Sequence, residues 1–258
     1  MIKEKDISKK IPLAVIMLGV VSFFTDMASE MIYPLVPVFV AALGSGAIVL
    51  GVIEGIAETT AAMLKLLSGV ISDKLGKRKF LVLIGYAISS FIRPLTGAVT
   101  AAWQIVFVRM FDRVGKGIRT APRDALIAAS VNKDIRGKSY GFHRAMDHAG
   151  AVAGPFLALI VLLTLFLGFN MNDPLLVLRR TFYLAIIPGI LAVLTIIFFV
   201  KESPATVKSA QPFSLSLKQL DKNFVNYLFT MIVFTLGNSS DAFLLFRVEE
   251  AIHRSGAV

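Results

Sequence analysis

Apolar residues run along this chain in long blocks, and polar residues collect between the blocks. A helix rising 1.5 Å per residue needs roughly 20 mostly apolar residues to cross the hydrocarbon core of a bilayer. Seven segments reach that length: about 12–41, 47–71, 80–99, 101–120, 139–168, 181–200 and 223–246. Gly44-Ser45-Gly46 marks a tight turn after the first. The pattern predicts an all-α, polytopic membrane protein. Residues 1–200 form a six-helix bundle, 201–222 a cytoplasmic linker carrying Pro204, Pro212 and several serines, and 223–258 open with a seventh helix.

Composition supports a lipid solvent. Of 258 residues, 56% are hydrophobic and 17% charged, and 20 are Phe; a soluble domain is nearer about 45–50% apolar. The absence of cysteine excludes disulfides, cysteine-ligated zinc and thiol catalysis. The net charge of +10 does not point to nucleic acid, because the cations cluster between the apolar blocks.

That clustering sets a topology. Lys3, Lys5, Lys9 and Lys10 precede the first block, and Lys74, Lys77, Arg78 and Lys79 lie between the second and third. Arg119, Arg123, Lys133, Arg136 and Lys138 fall in the 119–138 connection, and Lys201, Lys208, Lys218 and Lys222 in the 201–222 connection. The positive-inside rule places these four segments, and the N-terminus, in the cytoplasm. The opposite loops are poorer in cations: none in 42–47, Arg93 beside the third block, and the exceptional pair Arg179-Arg180. No small-x-small cleavage site breaks the first block, so it reads as an uncleaved span.

Residues 69–79 read Gly-Val-Ile-Ser-Asp-Lys-Leu-Gly-Lys-Arg-Lys. This loop resembles the signature between the second and third helices of the major facilitator superfamily, matching at Gly69, Asp73, Lys74, Gly76, Lys77 and Arg78. The resemblance implies a gating loop whose aspartate latches the two halves of a transporter. It also implies that Gly69 permits close helix approach and that Gly76 takes positive φ in a turn. In the fifth block Gly141, Gly150, Gly154 and Pro155 resemble the antiporter motif of drug/proton exchangers, with Ala158-Leu159 where that motif has Gly-Gly. Gly150-x-x-x-Gly154 is a small-xxx-small packing face, and Pro155 removes a helix hydrogen bond. Arg109 occupies the arginine position of the family's fourth-helix motif, followed by Asp112-Arg113 where Gln-Gly would stand. Gly115-Lys116-Gly117 is not a phosphate loop: it lacks the spacer, the Gly-Lys-Ser/Thr ending and a preceding strand.

The charges inside the blocks are the residues most suggestive of function. Arg109, Asp112, Arg113 and Lys116 stand at i, i+3, i+4 and i+7, on one helical face. Glu54 with Glu58, and Asp26 with Glu30, share faces in the same way. A charge at the bilayer centre costs at least about 2.5–3.5 kcal/mol on insertion scales, so these groups must pair or line a wet cavity. Counting from the block ends at 1.5 Å per residue puts Asp147 and Arg109 each about 13 Å deep, where Asp147 is expected to pair with Arg109 or Arg113. Two roles stay open. Desolvation favours a protonated carboxylate and a nearby guanidinium an ionised one, so relative movement makes a proton relay; the alternative is a static ion-pair network. His143, Asp147 and His148 come near one face without a fourth ligand, so no metal is assigned, nor any other cofactor. Trp103 suits an interfacial anchor.

Phe24-Thr25, Ser29 and Tyr33-Pro34-Leu35 align with Phe234-Thr235, Ser239 and Phe243-Leu244-Leu245, as in a second copy of a repeat. The resemblance implies two six-helix halves that rock about a membrane-normal axis. It also implies proton-coupled efflux of a small molecule across the plasma membrane, the inner membrane in a Gram-negative cell. The implied partners are the bilayer, the substrate, protons and a polypeptide carrying the remaining helices. The alternative is a transport-inactive fragment, or one half of a split gene, that needs such a polypeptide. An enzyme is not expected, since neither a G-x-S-x-G elbow nor an H-E-x-x-H pair is present.

Overall fold

A computed structural model describes residues 10–202, 221–236 and 241–255. The described residues form helices and turns, with no strand among them. Helix α1 (Leu13–Glu30) gives way to a 3-10 turn at Tyr33–Leu35 and then to α2 (Val36–Ala42). Pro34 and Pro37 sit at the first positions of the turn and of α2, where proline's missing N–H costs nothing, and each removes a hydrogen bond that would continue α1. The chain reverses at Gly44, φ +74°, into α3 (Ala47–Leu75). Gly76 ends α3 at φ +63°, and its N–H donates to the Ser72 carbonyl at 3.1 Å. A side chain with a Cβ would be strained at that αL position.

Helix α4 (Arg78–Ile92) runs into a 3-10 turn at Arg93–Ala98, followed by α5 (Ala102–Ala129) and α6 (Arg136–Leu163). A π-turn, Thr164–Gly168, extends α6. Helices α7 (Pro174–Leu184) and α8 (Ile186–Phe199) complete the sixth crossing. Helices α9 (Lys222–Leu236) and α10 (Asp241–Ser255) follow. Five segments are long and apolar enough to cross a membrane: 13–42, 47–75, 78–98, 133–168 and 174–199. Helix α5 is too charged to qualify by composition, yet it packs between α3 and α4. On the other side α1 lies against α6 and α8, and α8 also meets α4.

Two dry clusters hold the bundle at its ends. One gathers Phe39, Leu50, Ile53, Ile105 and Phe182, with Phe39 and Phe182 edge-to-face at 5.1 Å. The other gathers Val15, Leu18, Val82, Tyr86, Leu126 and Ile196. Along α5 the buried charges Arg109 to Arg123 lie between Ile105 of the first cluster and Leu126 of the second. Bare backbone lets the helices close up around them. Cβ atoms added at Gly150 and Gly154 would strike the backbone of α1, at the Phe23 carbonyl and, at 2.7 Å, the Met27 carbonyl. At Gly141 an added Cβ would meet nothing within 4 Å, and at Gly69 only Ala121, at an ordinary 3.6 Å. Close approach to α3 is made instead by Gly117, where a Cβ would sit 2.5 Å from Leu64 Cβ.

Several boundaries differ from the sequence pattern. The fourth block continues nine residues beyond 120, to Ala129, with Pro122 inside the helix. Arg119 and Arg123 are therefore buried helix residues and not loop cations. The sixth crossing begins at Pro174, seven residues early, because Asp173 caps it by accepting from the Leu175 and Leu176 N–H groups at 2.9 and 3.3 Å. Arg179, an exception to the charge bias, donates to the Gly97 carbonyl at 2.8 Å and tethers α7 to the turn after α4. The seventh block is represented by two helices: α9 is exposed, while α10 lies beside α2 and α3, with Phe243 facing Gly51. Residues 203–220, most of the expected linker, and Ser239 of the repeat lie outside the described residues, as do Lys3, Lys5 and Lys9.

Candidate functional site

The polar face of α5 supplies most of the site. Arg109 Nη2 donates to Glu54 Oε1 on α3 at 2.8 Å, and its guanidinium lies 5.1 Å from the Tyr33 ring centroid. One turn on, Arg113 Nη2 meets Glu58 Oε1 at 2.9 Å. Asp112 points the other way, accepting from Arg93 Nε at 2.7 Å, while Arg93 Nη1 donates to the Thr25 carbonyl of α1 at 2.8 Å. Arg93 is thus a buried tie between three elements and not a loop charge. Arg119 donates to Ser89 Oγ at 2.6 Å and to the Gly85 carbonyl at 3.3 Å, and lies 4.6 Å over the Tyr86 ring.

Gly115 and Gly117 explain how a helix this charged is gripped on two sides. They lie about 200° apart around the axis, two residues at 3.6 per turn. A Cβ on Gly115 would strike the Gly85 carbonyl and Ser89 Oγ of α4, each at 2.5 Å. Gly117 abuts α3, where Ser68 Oγ donates to the Gly117 carbonyl at 2.8 Å. Lys116 stands between the two clamped faces.

Lys116 lines two neighbouring cavities. The larger, about 300 Å³, is bounded by Ser22 and Asp26 of α1, Glu58 and Lys65 of α3, Arg119 and Arg123 of α5, and Arg144 and Asp147 of α6. The smaller, about 150 Å³, adds Glu30, Tyr33, Arg93 and Arg113. Asp26, Lys116 and Arg119 belong to both.

Asp147 does not reach Arg109 or Arg113. Its carboxylate accepts from Ser22 Oγ and, at 3.2 Å, from Arg144 Nη1, with His143 Nδ1 at 3.8 Å. The added length of α5 is the reason. Its far end lies about 14 Å beyond the sequence estimate, so the level of Asp147 along antiparallel α6 corresponds to Lys116–Arg123. His143 is buried and His148 exposed, so the two do not share a site, and His148 lines neither cavity. Among the described residues no group of three metal-binding side chains occurs.

The 69–79 turn lies outside both cavities. Arg78 Nη2 approaches Asp73 Oδ1 at 3.5 Å, with Asp73 largely exposed. The N-terminus of α4 is capped from afar: Glu202, just past α8, accepts from the Arg78 and Lys79 N–H groups at 3.0–3.2 Å. Lys79 Nζ donates to the Ile197 carbonyl at 3.2 Å. Lys74 and Lys77 extend the basic surface of the turn, and Trp103 is exposed with an edge-to-face contact to Phe107 at 5.8 Å.

Apolar helices thus enclose charged cavities, and comparison with known proteins assigns the family. The model of the Major Facilitator Superfamily matches residues 18–255. The chain belongs to that superfamily. This major facilitator chain is 36% identical over 247 residues to an uncharacterized MFS-type transporter of Methanocaldococcus jannaschii, covering 96% of itself and 58% of the relative. It is 27% identical over 140 residues to a multi-drug resistance efflux pump of Streptococcus pneumoniae, covering 53% of itself and 35% of the pump. Its fold is similar to a POT family transporter solved with a thioalcohol-conjugated peptide, at a TM-score of 0.61 and 14% identity, covering 95% of this chain and 47% of that one. The chain therefore spans little more than half the length of the archaeal relative. Superfamily membership and the five apolar segments make it a multi-pass membrane protein of a transporter family.

Proposed function

We propose that this chain forms the N-terminal bundle of a proton-coupled exporter of small molecules that works by alternating access. Residues 203–220 then link it to a second bundle opened by α9, with the N-terminus in the cytoplasm and the protein in the plasma membrane. The observation that carries the reading is the cavity itself. Asp26, Glu58 and Asp147 face a common space with Lys116, Arg119 and Arg123, and carboxylates held in a membrane can exchange protons as the helices that carry them, α1 and α6, shift relative to the cations of α5. Asp147 fits the relay best, since Ser22, Arg144 and His143 surround it with hydroxyl, guanidinium and imidazole. The antiporter-like Gly150, Gly154 and Pro155 on the same helix support export, as does the similarity to an efflux pump.

The test is substrate-induced proton release from everted vesicles, screened over a panel of small organic anions and cations. The wild-type protein should release protons with at least one compound, and Asp147→Asn should lose that release while inserting normally. Undiminished coupling in Asp147→Asn would refute the relay.

A further inference from the structure

We propose that Lys116 and Arg119 hold an oxyanion group of the transported molecule: a carboxylate, sulfonate or phosphate. The proposal deepens the transporter reading, on which it rests for calling the ligand a substrate. The other arginines around the cavities are already matched. Arg93, Arg113, Arg123 and Arg144 each have a carboxylate oxygen at 2.7–3.2 Å. Arg119 has none among the described residues. It is 4% exposed and donates only to a hydroxyl and a carbonyl. Lys116 likewise forms no ion pair with a described residue, although it opens into both cavities. Asp26 faces the same space, yet it comes within ion-pair distance of neither. Lysines and arginines outnumber carboxylates on the walls of both cavities.

A buried guanidinium without a counter-charge is costly, and an arriving oxyanion offsets that cost through charge-assisted hydrogen bonds. The site is also rigid. Gly115 and Gly117 lock the backbone on either side of Lys116 against α4 and α3, so the two cations cannot retreat from the cavity by sliding α5. Preorganised donors of this kind bind without first paying to be ordered. At about 300 Å³ the larger cavity admits a small organic anion.

The test is equilibrium binding to the protein in nanodiscs, with sodium benzoate as probe and benzamide, its neutral isostere, as control. Benzoate should raise the unfolding midpoint and benzamide should not. Lys116→Gln should weaken benzoate about tenfold or more, the loss of one charge-assisted bond, and Lys116→Arg should retain it. Equal responses to benzoate and benzamide, or wild-type benzoate affinity in Lys116→Gln, would overturn the proposal. Parallel nanodiscs with and without phosphatidylglycerol separate a soluble ligand from a lipid headgroup. A Lys116-dependent response to that lipid with none to benzoate would also overturn it. Binding is read without transport, so this result stands apart from the proton-coupling result with Asp147→Asn.

Discussion

Arg93 Nε and Asp112 Oδ1 lie 2.7 Å apart, joining the turn after α4 to the middle of α5 where both side chains are buried. Removing one partner of such a pair leaves the other charged and unpaired, at a cost of about 3–5 kcal/mol, whereas removing both costs much less. Asp112→Leu should therefore lower the thermal midpoint sharply in detergent. Arg93→Met with Asp112→Leu should recover most of the loss. Additive losses in the double variant would mean that the two residues act separately.

The glycines separate packing from signature. Gly115→Ala places a methyl group 2.5 Å from a carbonyl of α4, and overpacking of that kind costs roughly 1–3 kcal/mol. Gly141→Ala meets nothing within 4 Å, and in a helix it should be neutral or stabilising by about 0.5–1 kcal/mol. Comparing the thermal midpoints of the two variants checks this directly. A stable Gly115→Ala protein would contradict the close approach of α4 and α5.

Much of this was legible in the sequence, because helices, turns and small-residue faces are local patterns. The Gly76 turn and the Gly150/Gly154 contact follow from residues within a few positions of one another. The site was legible only in part, because the meeting of charges depends on helix length and register. Pro122 amid Arg119, Arg123 and Asp124 reads as the end of a membrane block, yet α5 runs through it. That single displacement moved Asp147 from the level of Arg109 to that of Arg119 and turned two buried arginines into apparent loop charges. Arg93 was missed for a related reason: a cation beside a proline at a block end looks the same in sequence whether it faces water or a buried aspartate. A signal was available in Gly-Lys-Gly, whose alternating faces mark a helix squeezed from both sides.

Glu202 links the 69–79 turn to the end of α8. It accepts from the first N–H groups of α4, where a carboxylate also meets the positive end of the helix dipole. Glu202→Gln should destabilise by about 1 kcal/mol, the ordinary value of a helix cap, and should speed hydrogen exchange at Arg78–Leu81. Unchanged exchange there would show that the cap does not hold the turn.

The charged face of α5 borders the larger cavity, and water entering that cavity would let the charges persist within a membrane protein. The chain contains no cysteine, so single cysteines can be introduced directly. Ala62 lines the larger cavity, and Phe156 is exposed on the apolar surface of α6. In intact proteoliposomes opened to reagent on both sides, Ala62→Cys should react with a charged, membrane-impermeant thiol reagent, and Phe156→Cys should not. Protection of Ala62→Cys to the level of Phe156→Cys would contradict the account.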